Sequence, residues 1–99
     1  MMKLKINPLV AVDLKRIRDY IAEDNPDMAS KAVQDIYSQF ENIQQFPNMG
    51  ADLSRRVRFR TSYKYMVHGN YVILYKIEKE YVEVYRVINR FQDITRIFD

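Results

Sequence analysis

Six basic residues, Arg55, Arg56, Arg58, Arg60, Lys64 and Lys76, lie between Leu53 and Ile77 with no acidic residue among them. Tyr63, Tyr65, Tyr71 and Tyr75 share that stretch, and Tyr81 and Tyr85 follow it. Guanidinium groups clamp phosphates and aromatic rings stack on bases, so such a surface could bind RNA. It could equally take an acidic protein segment, or be a solvated strand face that aids solubility. Tyrosine is also a common strand former whose ring packs while its hydroxyl reaches water. The chain as a whole carries +3, but residues 1–49 hold six basic and seven acidic side chains against ten and six in residues 50–99. The positive charge belongs to the second half.

Other chemistry is thin. His68 is the only histidine and stands beside a turn signal, which favours a solvent-facing turn neighbour over a general base. Without cysteine there are no thiolate sites or disulfides, and without a second histidine or a carboxylate cluster a zinc or two-metal site is not expected, nor is a cofactor. No Ser-His-Asp arrangement can avoid that same histidine. Gly50 and Gly69 are too far apart for a phosphate-cradling loop. The acids Asp13, Asp19 and Glu23 interleave with Lys15, Arg16 and Arg18, as on any solvated helix face.

Arg86 is the most informative single residue. It alternates with Val82, Val84 and Ile88, so a strand would place it on their apolar side. A buried guanidinium costs several kcal/mol unless paired. Either an acid such as Asp13, Asp19 or Asp93 meets it, or it faces a groove meant for an anion.

The elements that must position these groups follow from periodicity and punctuation. Lys3 to Ile6 alternates as a short strand. Asn7-Pro8 is a helix start, and Val10, Leu14, Ile17 and Ile21 form one apolar stripe that should end near Asp24. Asn25-Pro26 repeats the signal for a longer helix with Ala29, Ala32, Val33, Ile36, Phe40 and Ile43 on one face, ended by Pro47 and Gly50. So short a connection predicts an antiparallel helical hairpin. The period then changes to two. Arg56 to Arg60 predicts a half-buried strand with a cationic face, Tyr63 to Val67 another, and Gly69-Asn70 a hairpin turn into Tyr71 to Ile77. Tyr81 to Ile88 is the last strand, and a single helical turn is expected from Asp93. The expectation is one α+β domain over residues 1–99, β-α-α-β-β-β, an antiparallel sheet with the helical hairpin on one face. The N-terminus lacks a signal-peptide core and no run reaches the ~20 apolar residues of a membrane span. A cytoplasmic location is expected.

In this order the segments resemble the RelE/ParE toxin superfamily, in its ParE-like branch. The first helix carries Ala11-Val12-Asp13-Leu14, with Ile17, Tyr20 and Ile21 spaced as in the family's A-x-x-D-L-x-x-I-x-x-Y-I, the alanine here lying one place closer to the aspartate. Asn25-Pro26 with Ala29, Phe46-Pro47 with Gly50, Tyr71 to Ile77, and Val82 to Asp93 complete the match. Arg86-Val87 and Asp93 are its most diagnostic parts.

The resemblance implies the toxin of a type II toxin–antitoxin module, of the kind linked to plasmid stabilization. A cognate antitoxin would wrap an amphipathic segment around the helical hairpin and sheet, forming a hetero-oligomer. ParE-like members poison DNA gyrase, and RelE-like relatives cleave mRNA on the ribosome. The gyrase reading puts the target surface on the last strand and on Arg90 to Phe98, with Arg86, Arg90, Asp93 and Phe98 in contact, and makes the chain a binder rather than an enzyme. The mRNA interferase alternative assigns charge stabilisation to Arg58, Arg60, Lys64 and Arg86. Phe98 counts against it, since it stands where those nucleases keep a tyrosine and cannot transfer a proton; Gln92 departs from their pattern too. A decayed toxin that only binds antitoxin is the third possibility.

Overall fold

The computed structural model describes residues 2–92 and 94–98, the side chains of Ile97 and Phe98 excepted. The order is β1 (Lys3–Ile6), α1 (Pro8–Ala22), α2 (Pro26–Gln45), β2 (Ala51–Asp52), β3 (Lys64–His68), β4 (Tyr71–Ile77) and β5 (Tyr81–Asn89), with a 3₁₀ turn at Ile94–Phe98. Both helices start on an asparagine followed by proline. Asn7 accepts from Leu9 N at 2.9 Å and Asn25 from Met28 N at 3.2 Å, satisfying donors that a helix leaves open. The β3–β4 hairpin turns on Gly69, whose φ of +59° suits the first central position of a II′ turn.

The strands lie in the order β1-β5-β4-β3-β2. β2 to β5 run antiparallel to their neighbours, whereas β1 joins β5 in parallel, so the sheet is mixed rather than wholly antiparallel. The helical hairpin covers one face. There Val10, Leu14, Ile36, Phe40 and Ile43 pack on Ile73, Tyr75, Val82, Val84 and Val87. A smaller cluster of Leu53, Val72, Leu74 and Ile88 fills the other face. β4 is therefore buried on both sides, and its Val72-Ile73-Leu74-Tyr75 run carries no charge.

Two further sequence expectations are corrected. Arg56 to Arg60 is not a strand. β2 ends at Asp52, Leu53–Arg55 forms a 3₁₀ turn, and residues 56–63 run as a loop. The cause is side-chain bonding that replaces a ladder. Asp52 Oδ1 accepts from Ser54 N at 3.0 Å, and Ser54 Oγ both donates to Thr61 O at 2.9 Å and accepts from Thr61 N at 3.1 Å. Fully buried Leu53 pins the loop from below.

The second correction concerns β5. Tyr75 pairs with Val84 but Leu74 pairs with Arg86, so β5 carries one extra residue there. This β-bulge reverses the alternation beyond it. Val82, Val84 and Val87 face the helices, while Ile88 turns to the far cluster. Arg86 therefore does not share one face with Val82, Val84 and Ile88.

Candidate functional site

Arg86 meets an acid. Its Nε donates to Asp13 Oδ2 and a terminal guanidinium nitrogen to Asp13 Oδ1, both at 2.8 Å, and Val87 N donates to the same Oδ2 at 3.0 Å. β1 stops opposite Val84, so the outer edge of β5 beyond that point has no strand to pair. Asp13, 4% exposed on α1, caps it. The hydrogen bonds that Arg86 donates to Asp13 hold the arginine's pKa above its ordinary value, against the opposing effect of burial. Of the alternatives open in the sequence, the structure selects the carboxylate.

The other candidates are scattered. Arg58 and Arg60 are exposed in the 56–63 loop and pair with no described carboxylate. Lys64 opens β3 opposite Tyr75 and Asp52, with β4 between it and Arg86. Arg58 and Arg60 thus belong to a loop, Lys64 to β3 and Arg86 to β5. Arg90 follows β5, its N–H donating to Asn70 O at 2.8 Å and its guanidinium 5.6 Å from the Phe91 ring centre. Asp93 and the Phe98 side chain lie outside the described residues. His68 ends β3 beside the hairpin turn.

The tyrosines divide by face. Tyr75 is fully buried; its hydroxyl donates to Pro47 O at 2.7 Å and accepts from Gly50 N at 2.9 Å, and burial pushes its pKa up. Tyr63 and Tyr85 pack with ring centres 5.1 Å apart and planes tilted by 43° on the face away from the helices, with Lys76 over Tyr63 at 5.5 Å and Arg56 over Tyr65 at 5.2 Å. Lys76 also faces Glu78 at 3.3 Å and Glu83 at 3.9 Å, which absorb its charge and raise its pKa. The cationic stretch is therefore partly neutralised on the sheet and free mainly in the loop.

Sequence reasoning missed one concavity. Between α1 and the end of β5 lies a groove lined by Arg16, Tyr20, Tyr71, Val87 and Phe91, with the Asp13 carboxylate in its wall. Tyr20 is 74% exposed and Phe91 82%. Both left a sequence signal: Tyr20 stands off the apolar stripe of α1, and Phe91 follows the strand end. Among the described residues no group of three or more His, Cys, Asp or Glu could hold a metal ion, and no helix is long and apolar enough to cross a membrane.

Residues 4–94 match the family model for the ParE toxin of the type II toxin–antitoxin system parDE. The chain belongs to the ParE toxin family. Its fold is similar to a solved structure of the chromosomal ParDE toxin–antitoxin system from P. aeruginosa, with 28% identity and a TM-score of 0.75 over 90% of this chain and 96% of that one. A comparison with curated protein sequences finds no significant match. For this ParE toxin the helical hairpin, the bulged last strand and the Asp13–Arg86 pair form the frame, and directly after β5 Arg90, Phe91 and Gln92 are exposed.

Proposed function

We propose that this ParE toxin arrests growth in the cytoplasm by binding DNA gyrase, and that a cognate antitoxin silences it by wrapping the hairpin and sheet in a hetero-oligomer. The observation that carries the reading is the state of Arg86. Its guanidinium is spent on Asp13, so the only basic side chain of β5 is offered neither to a scissile phosphate nor to the gyrase contact expected of it, and the target surface narrows to the residues after β5. Without it, the charge-stabilising groups left are Arg58 and Arg60 on an exposed loop and Lys64 on β3, and cleavage would also need a proton donor set beside them. The exposed residues just after β5, Arg90 to Gln92, instead suit protein contact. Aromatic and arginine side chains are the types that dominate such interfaces.

A supercoiling assay tests this directly. Purified toxin added to gyrase and relaxed plasmid should stop supercoiling in a dose-dependent way, and adding antitoxin should restore it. Full activity of gyrase at every toxin ratio would remove the gyrase assignment. Primer extension on ribosome-bound message after induction serves the rival reading, in which new 5′ ends would appear. A decayed toxin would leave both unchanged and growth normal.

A further inference from the structure

The groove between α1 and the end of β5 encloses about 350 Å³. That is near the low end of small-ligand clefts, about 300–1,000 Å³, and leaves room for one or two anchor side chains. Its rim is unusual for a free surface. Tyr20 and Phe91, 74% and 82% exposed, stand on opposite elements with the groove between them. Each would bury about 150–250 Å² against a partner. The local charge is one-sided as well. Asp13 is consumed by Arg86 and Val87 N, and neighbouring Asp19 is held by Lys15 at 2.8 Å. Arg16 in the groove pairs with no described carboxylate, and Arg90 lies over the Phe91 ring.

We propose that this groove is where the toxin grips its target, taking a short acidic segment of gyrase that seats an apolar side chain between Tyr20 and Phe91. Carboxylates of that segment meet Arg16 and Arg90. The inference rests on the gyrase reading and adds to it the place and chemistry of contact. An acidic partner fits because the groove's own carboxylate is already neutralised, leaving the unpaired charge among the described residues of the groove positive. An apolar anchor fits because two solvent-exposed rings flank a cleft floored by Val87.

The test uses purified toxin in the supercoiling assay alongside growth arrest on induction. Tyr20→Ala/Phe91→Ala and Arg16→Glu should each raise the toxin needed for half-inhibition by about tenfold or more, the scale of losing an interface hot spot. Arg16→Lys should stay close to wild type, and so should Met49→Ala, which removes an exposed apolar side chain elsewhere. Melting curves verify that every variant is folded. Folded rim variants that inhibit gyrase as wild type does would overturn the groove while leaving the gyrase reading intact. If wild type itself leaves gyrase active, the gyrase reading falls and takes the proposed occupant with it. Rim variants that stop binding antitoxin but still poison gyrase would give the groove to the antitoxin, and this proposal would be wrong.

Discussion

Asp13 and Arg86 lie 73 residues apart in the chain and meet through paired hydrogen bonds of 2.8 Å, with the Arg86 side chain 18% and the Asp13 side chain 3% exposed. One carboxylate thereby joins the first helix to the last strand beyond the point where β1 can pair with it. A buried ion pair of this kind is weak evidence of net stabilisation, but breaking it leaves an uncompensated charge. It also holds the strand end from which the exposed segment departs.

Asp13→Ala should therefore be among the most destabilising single changes, costing about 2–4 kcal/mol, reduced from the fully buried case because Arg86 keeps some water contact. In a chain of this length that is a fall of at least about 10 °C in Tm. Arg86→Ala should cost a similar amount. The double variant should cost clearly less than the sum, with a coupling of about 1–3 kcal/mol. Additive melting shifts would show that the pair does not act as a unit.

Gly50 is constrained by space rather than conformation, since its φ of −79° is open to any residue. A Cβ there would collide with the Tyr75 hydroxyl and come within 2.8 Å of the Tyr65 carbonyl oxygen. Gly50→Ala should cost about 1–3 kcal/mol. Tyr75→Phe should cost about 1–2 kcal/mol, because Pro47 O and Gly50 N lose their partner. The double variant should not recover wild-type stability in urea melts, as the Tyr65 carbonyl belongs to the backbone and cannot swing away.

How far the sequence spoke depends on the range of the interactions involved. The helices, their asparagine caps and the Gly69 turn are set by neighbours within a few residues, and all were legible. The Arg56–Arg60 alternation has strand period, yet Ser54 binds Thr61 and closes a loop that hydrophobic pattern cannot register. The bulge at Arg86 was equally hidden, because the residue that engages it is on α1. The period aligned Arg86 with Val82 and Val84, from which the bulge separates it, and could not choose between Asp13 and a groove. The groove was hidden for a related reason: its rim joins Tyr20 to Phe91, which no local signal connects.

Alkaline stability should report the buried tyrosine. Burial raises the pKa of Tyr75, and also those of Tyr63 and Tyr71. An unfolded tyrosine ionises near about 10, so above that pH the unfolded chain releases its proton before the folded one does. The stabilisation is complete below pH ~10 and is lost as pH rises through the folded values. Tyr75→Phe, though less stable at pH 8, should lose less between about pH 10 and 12 than wild type. Equal slopes in melts across that range would deny the burial effect.

The exposed loop arginines separate the two mechanisms. Arg58 and Arg60 touch no described carboxylate and stand in solvent, so Arg58→Ala/Arg60→Ala should change stability by less than about 0.5 kcal/mol per site. If the toxin binds gyrase through the end of β5, the double variant should still arrest growth, with DNA synthesis failing before protein synthesis. If it cleaves message, removing charge-stabilising groups should slow cleavage by about 10²–10³ and abolish arrest. Induction of wild type and variant at matched levels, with thymidine and leucine incorporation followed in parallel, reads both at once. Normal growth of the folded variant would transfer the chemistry to the loop and away from the groove beside α1.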